Sequence, residues 1–595
     1  MSVCCTACGS DDSADAFCGS CGTGPSDYQG HRRFRLRLRT YAADSRQRVL
    51  RPWLSSSLFP HLPGRARMPL RVGLAVIFVA LGAFALLRWQ APMIAIATFG
   101  LPLLFVAYLR EIDVRRDVAL GILASTVAIA ILLGVAWAYL AGTVFASGYT
   151  VALGSGVTSG PGVGIGLAVS IAEGLLMLTP ALLAWLLNRS PRESLHGFLI
   201  GSLGATAFTA AANMILLEPQ LETGPIADNR SPTGLLAQAG IQGVAMPLVS
   251  VAVGGIFGIA LWFRRPAGAS QHRPGPVPAA VLVVIAVFVG LGLLDISPMP
   301  DNLYLLGYLV IAAFAILALR VAIQAALLHE ARDGMGPGEG LRCAHCDHVG
   351  ASTAFCARCG AATRMSSRIL RTNYTRMLGP VGLAAAVSIA ITVITSIVIT
   401  PGVPPYTCPP DCGAPPFGTP VETNPRFTGE AGSFSVSYPG EGTAYQATFN
   451  PNGLNGVVLR YVGGDTGTLA LFGEPAQDRS AKQIALNLLT KDHPDATIAY
   501  EIPNAAVGYQ SGYGFVADAY PQLSTGRYLR LRVLILVAIK HDYALIASAV
   551  GPYHRFNAGY GSGHPSGANL ELAMDMGKYV NSFQWGGDRY GKPTP

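Results

Sequence analysis

The sequence predicts a multi-pass α-helical membrane protein of about nine spans, carrying two small cytosolic cysteine ribbons and a C-terminal extracytoplasmic α+β domain. Three observations lead there. Nine apolar stretches are each long enough to cross a bilayer. Two cysteine quartets of identical spacing stand before the first stretch and between the last two. The chain after residue 424 then changes to mixed, strand-rich sequence. With 51% hydrophobic and 13% charged residues in 595, the whole is too apolar for an ordinary soluble multidomain protein.

The first element, residues 1–25, holds Cys5-x2-Cys8-x9-Cys18-x2-Cys21. Residues 329–377 repeat it as Cys343-x2-Cys346-x9-Cys356-x2-Cys359, down to AFCGSCG against AFCARCG. Each CxxC lets two thiolates converge from one tight knuckle, and two knuckles complete a tetrahedral S4 site suited to Zn2+. Four thiolates leave no open coordination position, so both sites read as structural. Modules this small can scarcely build a core, and the metal is expected to fold them. Both resemble the short zinc ribbons found on many bacterial membrane proteins. His345 and His348 read as surface residues, and Cys4 as a spare or an alternative to Cys5.

Residues 26–69 form a basic juxtamembrane linker in which Arg33–Arg39 alternates arginine with apolar residues. That pattern reads either as adhesion to anionic lipid or as a solvated topogenic signal. The spans follow at roughly 70–87, 91–109, 118–145, 163–187, 195–217, 235–263, 278–294, 303–328 and 378–400. Arg65, Arg67 and Arg71 precede the first span, and alternate loops carry Arg110, Arg115 and Arg116, then Arg189 and Arg192, then Arg264, Arg265 and Arg273. The intervening loops are poor in basic residues, which predicts a cytoplasmic N-terminus and an extracytoplasmic C-terminus in a bacterial plasma membrane. Both ribbons then lie in a reducing compartment, as metal thiolates require. No cleavable signal peptide is evident. The glycine-rich run Gly154–Gly166 lacks the GxxxxGK[ST] pattern and reads as a loop.

Residues 401–424 are a proline-rich spacer, in which Cys408 and Cys412 are spaced for a small-loop disulfide. Residues 425–595 read as the α+β domain. Strands are expected at Phe434–Tyr438, Gly456–Val462, Tyr528–Ile539 and Tyr543–Val550, with helices at Ala481–Lys491 and Asn569–Phe583. Its opening FSVSYPG and its terminal NSFQW resemble small PsbP-like domains. From 401 onward there are 13 basic and 15 acidic residues, so the overall charge of +8 belongs to the upstream part. That distribution favours contact with the lipid bilayer over nucleic acid.

Polar groups inside spans are expensive and therefore functional candidates. Glu173, Asn213, Gln238 and Gln242 are such residues. Across roughly 70–328, YLREIDVRRDVAL and then HGFLIGSLGATAFTAAANMIL resemble the PrsW family of intramembrane metalloproteases, in an eight-helix membrane domain. Gly197, Gly201, Gly204, Phe208 and Asn213 match that family's dGxxxGxxxGxxFAxxEN helix. Its EExxK motif falls at 173–177, where only Glu173 matches, and Ala212 replaces the glutamate of its EN pair. Gly243–Gly258 resembles its later histidine helix without a histidine. The resemblance thus implies a protease scaffold whose metal site is gone, and Glu173 is expected to make a structural hydrogen bond to Asn213 or Gln242.

The expected function is a non-catalytic membrane scaffold or sensor. Its ribbons would bind a cytosolic protein partner, and its outer domain an envelope ligand. The alternatives are a PrsW-type metalloprotease and a small-molecule transporter lined by Glu173, Asn213 and the glutamines.

Overall fold

A computed structural model of the chain describes residues 2–4, 11–13, 16–22, 41–44, 47–51, 53–60, 67–111, 118–148, 150–151, 158–159, 163–187, 193–221, 224–227, 232–264, 275–297, 299–330, 341–343, 346, 348–350, 353–362, 375–399, 424–440, 445–461, 467–493, 496–502, 505–519, 522–523, 527–528, 531–552 and 579–586. Cys5, Cys8 and His345 lie outside the described residues. So do Arg33–Arg39, the 401–423 spacer with Cys408 and Cys412, and residues 569–578 of the expected last helix. The chain divides into two compact units. One comprises Met1–Tyr139, Leu167–Ala227 and Pro232–Ile399; the other comprises Leu140–Gly166, Asp228–Ser231 and Thr400–Pro595.

Among the described residues, nine helices are long and apolar enough to cross a bilayer. They are α1 Arg67–Leu86, α2 Gln90–Glu111, α3 Leu120–Gly148, α4 Val163–Leu187, α5 Ser194–Leu216, α6 Pro232–Trp262, α7 Pro276–Ile296, α8 Asp301–His329 and α9 Thr375–Ile399. Each falls on one of the nine apolar stretches read from the sequence. Helices α2 and α6 are the most enclosed and α9 the least.

Helix α6 is not regular. Its interior is a π-turn at Ile241–Ala245, in which the Met246 N–H donates to the Ile241 carbonyl five residues back. Pro247 follows, and having no N–H it cannot continue the ordinary i→i−4 ladder at that point. Gln242 sits within the turn and is buried.

Helices α5 and α6 meet along glycine. A methyl group added at Gly201 would fall 2.1 Å from the Gly254 carbonyl oxygen, and one at Gly197 would fall 2.3 Å from that of Gly258. Two small-xxx-small stripes therefore face each other and let the backbones touch. Polar stitches run beside them: Ser202 Oγ donates to the Val251 carbonyl at 2.9 Å, and Thr209 Oγ1 lies 2.6 Å from Ser250 Oγ.

Of the expected linker, residues 41–44, 47–51 and 53–60 are described and form a packed strap against this bundle. Phe59 lies against Phe105 and Tyr108 of α2, and Tyr108 Oη donates to the Pro60 carbonyl at 2.7 Å. Arg320 of α8, fully buried, donates to Ser56 Oγ (2.9 Å), Ser57 Oγ (3.0 Å), Gln47 Oε1 (2.9 Å) and the Arg48 carbonyl (3.1 Å). The Asp44 carboxylate pairs with Arg67 at 2.6 Å. Just past α8, Glu330 accepts from both the N–H and the Oγ of Ser194, each at 2.8 Å. A carboxylate thus caps the N-terminus of α5, where the helix dipole favours it.

The second unit is built on an antiparallel sheet. Its strands are β1 Arg426–Thr428, β2 Phe434–Ser437, β3 Tyr445–Phe449, β4 Gly456–Tyr461, β5 Thr468–Pro475, β6 Thr497–Glu501, β7 Ala506–Val507, β8 Gln510–Ala519, β9 Leu531–Lys540, β10 Tyr543–Pro552 and β11 Gln584–Trp585. The main sheet runs β6-β8-β9-β10-β5-β4-β3 with β7 on β8, and a small sheet runs β11-β2-β1. Because side chains alternate, Leu534, Leu536 and Ala538 enter one core while Val533, Ile535 and Val537 enter the other. Burial on both faces explains the unbroken apolar run of β9. Helix α10, Ala481–Asp492, covers one face through Ile484, Ala485, Leu488 and Leu489; the small sheet and Tyr579–Phe583 cover the other. A capping box between Ser480 and Gln483 starts α10. The β9–β10 hairpin turns at His541 and Asp542, both left-handed (φ 52° and 54°), the geometry that matches strand twist.

Candidate metal centre

The second quartet converges. The Sγ atoms of Cys343, Cys346, Cys356 and Cys359 all lie within 4.8 Å of one another. Cys343 and Cys359 are 3.6 Å apart, as are Cys346 and Cys356. A tetrahedral S4 site with metal–sulfur bonds of about 2.3 Å has edges of about 3.8 Å, so the four thiols fit a metal ion. Among the described residues, this is the one group of three or more His, Cys, Asp or Glu side chains that converges in this way.

Local backbone sets the site. A short hairpin pairs Leu341–Arg342 with Val349–Gly350 and presents Cys343 and Cys346. The second knuckle closes where the Gly360 N–H donates to the Cys356 carbonyl at 2.7 Å, with Gly360 at φ +69°. Burial pushes the Cys346 thiol up to about 11; the Cys359 thiol also rises, chiefly through the Cys343 thiol beside it and then through burial. The Cys346 and Cys359 thiols therefore hold their protons without a cation, and a divalent ion would supply the charge that releases them.

The first ribbon follows the same design where it is described. Ser2–Cys4 pairs with Asp11–Ser13 so that Val3 faces Asp12, as Leu341 faces Gly350. In this register Cys4 stands at the position of Arg342 in the second ribbon. Gly22 donates to the Cys18 carbonyl at 2.7 Å with φ +69°, the same knuckle as at Cys356. Cys18 and Cys21 form no disulfide.

The sequence treats the ribbons as separate modules, 1–25 and 329–377. The structure packs them together. Phe17 N–H donates to the Ala357 carbonyl at 2.9 Å, and Phe355 N–H donates to the Gly19 carbonyl at 2.9 Å. Each phenylalanine precedes the third cysteine of its quartet, so the two bonds are equivalent. The ring of Phe17 lies against Gly360, and the ring of Phe355 against Gly22; a Cβ at either glycine would come within 2.6 Å of the ring. The pair has the isologous pattern of a two-fold dimer, made within one chain.

From the ribbon pair, Ala362 N–H donates to the Ala42 carbonyl at 2.8 Å, and Ala42 N–H donates to Gln324 Oε1 of α8 at 2.7 Å. Tyr41 beside it is fully buried. A continuous path therefore joins the ribbon pair to the strap and to α8.

The core candidates are placed differently. Glu173 is buried on α4, Gln242 is buried in the π-turn of α6, and Asn213 is half-buried near the end of α5. Gly174 next to Glu173 faces Phe288 of α7, where a Cβ would come within 2.5 Å of the ring. Gln238 donates to Gln220 Oε1 at 2.6 Å, and Gln90 donates to the Gln220 carbonyl. His196 is buried at the start of α5, and His348 is half-buried in the second ribbon, its carbonyl accepting from Cys343 N–H at 2.8 Å. Arg320, Gln324 and Glu330 stand outside the residues singled out from sequence. For Arg320 the signal was available: it is the one charged residue in the apolar stretch 303–328.

No protein-family model and no curated protein matches the chain. A solved structure from Bacteroides thetaiotaomicron VPI-5482 is similar over 29% of this chain and 50% of that chain, at 12% identity and a TM-score of 0.18. The chain thus spans half the length of that structure, and a likeness of this degree carries no argument about fold or function.

Proposed function

We propose that this chain is a non-catalytic integral membrane scaffold or sensor, whose paired ribbons each hold a structural Zn2+ and report on, or present a surface to, the cytosol. The observation that supports it most is the hydrogen-bonded path Ala362–Ala42–Gln324, with Arg320 seated in the strap beside it. A ribbon that served only to fold itself has no need of a seat on a membrane helix. Alternation of arginine-rich and basic-poor loops supports a cytoplasmic side for the ribbons and an extracytoplasmic side for the C-terminal part. In this reading the partners are the lipid bilayer, a cytosolic protein at the ribbons and an envelope component at the outer unit. The PrsW-like part is scaffold: Gly197 and Gly201 serve helix contact with Gly258 and Gly254, and Glu173 is a structural carboxylate.

Linkage gives the test. If ribbon docking is coupled to the α8 seat, the coupling is reciprocal. Competition titration of the purified full chain in detergent should show Arg320→Gln weakening zinc affinity by about fivefold or more. Equal affinity in the variant and the wild type would reduce the ribbons to passive appendages.

A further inference from the structure

We infer that the two ribbons load metal as one cooperative unit, each quartet reaching full affinity only when the other is filled. This rests on the reading that the first quartet is a metal site. The ribbon interface is made by the metal-holding segments themselves. The two cross-bonds leave from Phe17 and Phe355, the residues immediately before Cys18 and Cys356, and arrive at Gly19 and Ala357, the residues immediately after them. Neither ligand cysteine can shift without disturbing a bond to the opposite knuckle.

The apolar cover is exchanged in the same way. Gly22 and Gly360 close the knuckles at φ +69°, and each is covered by the other ribbon's phenylalanine. Phe355, Cys18 and Cys356 are buried in consequence. Each ribbon is too short to bury a core of its own, so the metal and the opposite ribbon order its knuckle, beside the strap contact at Ala362. When one quartet is empty, its knuckle loses the geometry that donates one cross-bond, accepts the other and seats the ring. The opposite site must then order its knuckle alone. Binding at one site that orders structure needed by the other is positive cooperativity.

The experiment uses the purified full chain and zinc alone. Metal content at saturation gives stoichiometry, and chelator competition gives affinity, for wild type, Cys343→Ser, Phe355→Ala and Phe17→Ala. The expected result is about two zinc ions in wild type, and a site remaining in Cys343→Ser that binds about tenfold more weakly than wild type. The phenylalanine variants keep all eight thiols and the same ligand sets, so they separate loss of coupling from loss of a site. Each should still take up two zinc ions, with affinity lowered at both sites. Two ions in wild type with unchanged affinity in Cys343→Ser and in both phenylalanine variants would overturn the coupling and leave the two-site reading standing. One ion in wild type would overturn both.

Discussion

The guanidinium of Arg320 lies over the ring of Tyr41, with its central carbon 3.9 Å from the ring centroid. Both side chains are fully buried, one on a membrane-length helix and the other in the segment that leads away from the first ribbon. A buried arginine needs donors matched to acceptors, and here the strap fills those of the two terminal nitrogens with two serine hydroxyls, a glutamine carbonyl oxygen and a backbone carbonyl, while Nε has no partner among the described residues and the aromatic face attracts the charge. The strap is therefore part of the bundle and not a free tether.

Arg320→Met should release the strap. The variant keeps much of the side-chain volume and removes the four bonds to Ser56, Ser57, Gln47 and the Arg48 carbonyl, while the bonds within the strap, such as Ser56 Oγ to Gln47 Oε1, remain. The expected loss is about 3 kcal/mol of local stability. Limited proteolysis of the full chain should then cut within 47–57, where wild type resists. Equal resistance would mean that packing around Phe59 suffices to hold the strap.

Gly201→Ala should prevent close approach of α5 and α6, because its methyl group would sit 2.1 Å from a carbonyl oxygen that the helix backbone holds in place. The expected penalty is about 1–3 kcal/mol, read as a lower thermal midpoint and a lower yield of folded protein. Gly82→Ala is the control: nothing lies within 4 Å of a Cβ there, so the change should be neutral or slightly stabilising. Similar behaviour of the two variants would contradict the packing role of the glycines.

The sheet unit should loosen in mild acid. His493 follows α10 and is buried, and its Nε2 has no hydrogen-bond partner among the described residues. Burial holds its pKa below the ordinary 6.5, with Asp492 opposing in part. A depressed pKa means that the unfolded state takes up the proton first. The stabilising contribution is complete above about pH 6.5 and is lost as pH falls through the folded value. Hydrogen exchange at Ala481–Asp492, corrected for the intrinsic pH dependence, should rise below that pH. His493→Phe should remove the dependence, and persistence of the effect in that variant would locate it elsewhere.

The sequence made some of this legible and hid the rest for physical reasons. Apolar run length is a one-dimensional property, so all nine long helices could be read directly. The Cys343 quartet was legible because its ligands are local. The bond from Phe17 to Ala357 joins residues that no spacing relates, although the repeated AFC motif marked both ends. Strand β8 was hidden because Gly512 and Gly514 interrupt its alternation. Those glycines are there because Cβ atoms would come within 1.9 Å of the Val537 carbonyl oxygen and 2.4 Å of Leu536. The glycines of α5 were legible as a motif, but their contact with Gly254 and Gly258 required the fold.

The state of the ribbons is expected to reach the long apolar helix α8 through the strap. Hydrogen exchange of the full chain, zinc-loaded against chelated, measures this most directly. Removal of zinc should raise exchange in the ribbons, across 41–60 and at the Gln324 end of α8, while the α5–α6 contact remains protected. Exchange that rises in the ribbons alone, with 41–60 unchanged, would contradict the claim.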